Sequence, residues 1–126
     1  MSIANPTADE IAAKEKTIKA EKRRLKQLLS NLPENKLKAA EGLIDECAFM
    51  RATLKQYREY INVVGMIDEM CQGDYSIIRE HPAIRSYNTM VQKYAAVSRQ
   101  LFDMLPIAAQ PVGQEEERFE EYRKQK

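Results

Sequence analysis

The side chains with the most chemical potential in this sequence are cations at helical spacing. Lys16, Lys19, Arg23 and Lys26 recur in steps of three and four. At about 100° per residue they fall within an arc of roughly 80° on a helix, over about 15 Å. Lys22 flanks the apolar stripe of the same segment, and Arg24 points elsewhere. Cations in such a line can track a phosphate backbone, because each neutralised phosphate releases condensed counterions. The same pattern also describes a solvated helix face balanced by Glu15 and Glu21, and spacing alone leaves both readings open. Lys16, Lys19, Lys22, Arg23 and Lys26 are the candidate nucleic-acid contacts.

Other residue types offer less. Asp45-Glu46 and Asp68-Glu69 are acidic pairs that could approach a divalent cation. Neighbours on a helix do not face one way, however, and no third ligand is identifiable, so an exposed acidic face is the expectation. His81 is the one histidine, and it precedes Pro82 at a helix start, where capping or packing is expected. Cys47 and Cys71 stand 24 residues apart without paired neighbours. That spacing suits neither zinc nor a thioredoxin-like centre, and both are read as buried thiols. Tyr57, Tyr60, Tyr75, Tyr87 and Tyr94 could stack bases, but three of them sit on the apolar seams described below and are read as core or subunit contacts. No phosphate-binding glycine loop and no nucleophile elbow is present. No catalytic residue, metal, cofactor or small-molecule substrate is therefore expected.

The charge balance becomes informative once divided along the chain. The 126 residues total +1, yet residues 1–40 carry +4 and residues 41–80 carry −4. Residues 81–110 add +2 and residues 111–126 add −1. A basic arm is thus set against an acidic middle. With 44% hydrophobic and 31% charged residues, the chain is expected to form one modest core under long solvated helices. No run approaches the roughly 18 apolar residues of a membrane span. MSIANPTADE lacks the order of a secretion signal, so a cytoplasmic location is expected.

Those cations must be positioned by a helix, and the sequence supplies its limits. Thr7 followed by Glu10 matches a capping box, and Leu32-Pro33 marks a stop, which predicts a helix over 8–31. Ile11, Ile18, Leu25 and Leu32 recur every seventh residue, with Leu28 and Leu29 thickening one end. So narrow a stripe needs a neighbouring surface. Pro33 opens a second helix running to Gly65, with a seam of Leu43, Cys47, Met50, Leu54, Tyr57, Ile61 and Val64. Met66-Ile67 and Ser76-Ile77-Ile78 flank Gln72-Gly73-Asp74 and predict a short β-hairpin. A third helix starts at His81-Pro82 and carries Ile84, Tyr87, Val91, Tyr94, Ser98, Leu101 and Leu105 to Pro106.

Two seams of equal length joined through a hairpin should fold back antiparallel. The expected fold is mainly α: a long antiparallel helical hairpin, a short β-hairpin between its helices, and a basic helix before it. Three regions result: an arm over 1–31, a helix–β-hairpin–helix core over 32–106, and a charged, flexible tail over 107–126. Thin seams leave apolar surface over, including Ile44, Phe49, Met90 and Phe102. A homo-oligomer would bury it, and a head-to-tail contact that closes makes a ring. The candidate oligomerisation residues are Leu43, Met50, Leu54, Tyr57, Ile61, Tyr87, Val91, Tyr94, Leu101 and Leu105.

The order of these elements resembles the small subunits of tailed-phage and prophage terminases. The likeness covers residues 32–106. It is carried by Ala48-Phe49-Met50 followed by Thr53-Leu54, and by His81-Pro82-Ala83 leading to Tyr87-Asn88-Thr89-Met90. Many members carry a helix-turn-helix before this region, where a single basic helix stands here. Many also end the last helix in Gly-Leu-Thr-Pro and an Arg, where this chain reads Asp103-Met104-Leu105-Pro106-Ile107. The resemblance implies a non-enzymatic DNA-packaging protein of the host cytoplasm that recognises double-stranded viral DNA, forms rings, and regulates the large terminase subunit. The rival readings are a coiled-coil scaffold or adaptor of a phage without DNA affinity, and a carboxylate-dependent nuclease using Asp45 or Asp68.

Overall fold

Thr7 starts the first helix as expected, its hydroxyl accepting the Glu10 backbone N–H at 3.2 Å. In the computed structural model, which describes residues 5–105, this helix (α1) spans Ala8–Leu28. It stops three residues earlier than the sequence suggested. From Leu29 the chain tightens, with Ser30 N–H donating to Gln27 O at 3.3 Å and Leu32 N–H to Leu29 O at 3.0 Å. Leu29 and Leu32 are both buried in the core.

Helix α2 spans Glu34–Val64, with Pro33 at its cap rather than in its first turn. Gly65 ends it at φ 83°, a left-handed conformation that other residues rarely adopt. Strands β1 (Ile67–Gln72) and β2 (Tyr75–Glu80) form the expected antiparallel hairpin. The two-residue turn has positive φ at Gly73 and not at Asp74, the pattern of a type II′ turn. Helix α3 spans Pro82–Phe102, after which Met104 and Leu105 close two further short turns.

The mainly α fold with a β-hairpin between its two long helices is the expected one. The helices run antiparallel. His81, at the start of α3, stands edge-on to Tyr60 near the end of α2, with ring centroids 5.5 Å apart. At the other end, Leu101 and Leu105 share one buried cluster with Ala40, Ile44 and Cys47. Leu25, Leu29 and Leu32 complete that cluster, so α1 docks on the core of its own chain.

Docking of α1 accounts for one reversed burial expectation. Ile44, expected to be left over at the surface, is 1% exposed. With Ala40, Ala48 and Ala52 it forms a second buried line on α2, beside the seam of Cys47 and Leu54. Small residues at four-residue steps let another helix approach closely. Every seam residue of α2 from Leu43 to Val64 is buried or half-buried.

Helix α2 is about 46 Å long and α1 only about 31 Å. The surface hollow between them is lined by Glu10, Ala13, Lys14 and Thr17 on one side and Ala52, Lys55, Gln56 and Glu59 on the other. The first turns of α1 thus lie beside the Ala52–Glu59 stretch, and past it α2 and α3 continue as a pair. Tyr57, Ile61, Ile84 and Tyr87 are correspondingly half-buried there, and β2 is exposed throughout.

Candidate nucleic-acid interface

Because Leu25 and Leu29 turn inward, the opposite side of α1 is presented to solvent. Lys16, Lys19, Arg23 and Lys26 are all exposed on it. Lys19, Lys22, Arg23 and Lys26, with Gln27 and Ser30, line a shallow hollow of about 500 Å³. Lys16 continues the row toward the start of the helix, one turn before Lys19.

The electrostatics separate the candidates. Lys22 Nζ lies 3.1 Å from the Asp45 carboxylate on α2. Lys16, Lys19, Arg23 and Lys26 form no ion pair among the described residues. Glu21, which the sequence offered as a counter-charge to this face, is turned away from it. Its carboxylate takes Arg24 in a forked pair, with Nε at 3.0 and 3.1 Å from its two oxygens. Only 13% of the Glu21 side chain is exposed. Glu21 thus balances Arg24 and not the ridge. Lysine and arginine heads around a concave surface can hold phosphate oxygens by charge and by donated N–H groups, with no proton transfer.

Behind the ridge, the three helices meet around polar groups that sequence reasoning did not bring together. Glu21 and Arg24 of α1 face Cys47 of α2 and Tyr94 of α3. Burial first, and the Glu21 charge second, push the Cys47 thiol up to about 11 and raise Tyr94 as well. The Glu21 hydrogen bond does the opposite service for Arg24, favouring its charged form. The available signal was the i, i+3 spacing of Glu21 and Arg24, a pairing geometry on any helix. Nearby, Lys14 Nζ stands 4.2 Å from the centre of the Phe49 ring, and partial burial lowers its pKa.

The remaining candidates are scattered. Asp68 pairs with Arg79 at 3.2 Å across the hairpin, and Glu69 accepts from Ser76 Oγ at 2.5 Å. Asp45 and Glu46 stay exposed, and no metal-holding group of three ligands occurs among the described residues. His81 caps α3, its Nδ1 accepting the Ala83 N–H at 3.1 Å. Cys47 is buried as expected, but Cys71 is exposed on β1, because its strand has no layer over it. The tyrosines are spread over the molecule, with Tyr94 at the three-helix junction and Tyr75 on the hairpin.

Of the oligomerisation candidates, Leu54, Leu101 and Leu105 are buried within the chain. Leu43, Met50, Tyr57, Ile61, Tyr87 and Tyr94 are half-buried, and Val91 is exposed. The hairpin adds apolar surface of its own in Met66, Ile67, Tyr75, Ile77 and Ile78, the last 75% exposed. No family model, curated protein or solved structure matches the chain. No helix among the described residues is long and apolar enough to cross a membrane.

Proposed function

We propose that this chain is a terminase small subunit, a non-catalytic protein that binds double-stranded viral DNA and regulates the large terminase subunit during packaging. The observation that carries the DNA reading is the row of cations on α1 that form no ion pair among the described residues, with Glu21 turned away from them onto Arg24. Residues 32–106 supply the resemblance, and their helix–hairpin–helix order accords with it. The thin α2–α3 end and the exposed isoleucines of the hairpin support a homo-oligomer, in which ridges from several copies would lie along one duplex.

The same hairpin suits the rival scaffold reading, in which copies assemble and no DNA is held. One sample separates the two: light-scattering mass, then a duplex gel shift across a salt series. The terminase reading expects an oligomer whose DNA affinity falls steeply with salt. Changing Lys16, Lys19, Arg23 and Lys26 together to Ala should flatten that slope by up to about four counterions. An oligomer with no shift at low salt supports the scaffold, and unchanged binding by the fourfold variant removes the ridge from the site.

A further inference from the structure

Resting on that DNA reading, we infer that the acidic block Glu115–Glu121 of this same chain is the resting occupant of the basic ridge and that duplex DNA must displace it.

Three observations lead there. The described chain ends at Leu105, which is buried in the cluster that also holds Leu25 and Leu29 of α1. The last described residue therefore sits at the end of α1 where Lys26 and Ser30 stand at the hollow. Nine residues lie between Leu105 and Glu115. They reach about 33 Å when extended, against a helix diameter of about 10 Å, so the block reaches around α1 with slack. Finally, Glu115, Glu116, Glu117, Arg118, Phe119, Glu120 and Glu121 carry a net −4. The hollow is lined by four cations, Lys19, Lys22, Arg23 and Lys26.

Tethering sets the strength of such a contact. Exposed ion pairs are individually weak and salt-screened. A tether of this length holds the block at millimolar effective concentration, enough to occupy the ridge without locking it. A long polyanion offering many phosphates displaces it, whereas short or isolated anions do not. The device discriminates against incidental anions and frees the acidic block only on DNA engagement.

The test uses the full chain with Glu115, Glu116, Glu117, Glu120 and Glu121 changed to Gln. A thermal melt matching the parent's shows that the five changes leave the fold intact. At low salt the variant should bind a duplex roughly 10-fold tighter than the parent, with the gain shrinking as salt rises. Combining it with Lys19, Arg23 and Lys26 changed to Ala should erase the gain. Equal duplex affinity of the parent and the five-Gln variant overturns the inference. If neither protein binds DNA, the functional reading fails, and carbodiimide crosslinking of the unaltered chain decides the inference separately. Links from the Glu115–Glu121 carboxylates to Lys19, Lys22 or Lys26 within a monomer mass support it. Their absence, or links only between chains, overturns it.

Discussion

Lys22 of α1 and Asp45 of α2 form, among the described residues, the one ion pair that joins the basic ridge to the acidic middle of the chain, Nζ to carboxylate 3.1 Å. The Asp45 side chain is 61% exposed, so the pair is solvent-screened and contributes little to stability, about 0–1 kcal/mol. Its effect on a bound polyanion is larger in proportion, because it occupies a cation that lines the hollow and sets a negative charge beside it.

Asp45→Asn should therefore leave unfolding within about 0.5 kcal/mol of the parent. It should tighten duplex binding about two- to fivefold at low salt, with the advantage vanishing at high salt. Fluorescence anisotropy over a salt series reads both effects. Loss of binding in the variant would instead assign Asp45 a direct part in holding the ligand.

Leu28 and Leu29 are adjacent and chemically identical, yet Leu29 is fully buried while Leu28 is 43% exposed. Leu29→Ala should cost about 2–5 kcal/mol, because it opens a cavity among Leu25, Ile44 and Leu101 that the cluster cannot close. Leu28→Ala should stay within about 0.5 kcal/mol. Chemical denaturation of the two variants separates them. Equal losses would mean that α1 is not held on the core through this end.

That pair also marks how far the sequence could be read. Helix limits followed from local chemistry: Thr7 as a cap, Gly65 and Gly73 where positive φ is needed, Pro82 in a first turn. The heptad seams of α2 and α3 gave the antiparallel pair, since a period-seven stripe needs a matching stripe. The second buried line, Ala40, Ile44, Ala48 and Ala52, was hidden because alanines carry almost no periodic hydrophobic signal. Its meaning depends on a helix from elsewhere in the chain lying across it. The ridge cations were visible from spacing. Their freedom from Glu21 was not, because several cations lie within one turn of that carboxylate and only packing decides which one takes it. The tail over 107–126 lies outside the described residues, so its expected flexibility stands apart from these comparisons.

Cys47 supplies a prediction about pH. Burial between the helices, with the Glu21 charge nearby, disfavours its thiolate and pushes the thiol from 9.0 up to about 11, while Tyr94 shifts in the same direction. A raised folded-state pKa means that the unfolded chain releases these protons first. The stability they hold is therefore complete below about pH 9 and lost as pH climbs through about 11. For Cys47 alone the loss amounts to roughly 3 kcal/mol. Lys14, its pKa lowered by burial, gains stability over part of the same range and partly offsets the fall. Thermal melts between pH 8 and 11 should drop steeply in the parent. Cys47→Ala, which has no thiol to ionise, should start lower from the lost packing and fall less. A parallel decline in both proteins would place the alkaline weakness elsewhere than at the junction of the three helices.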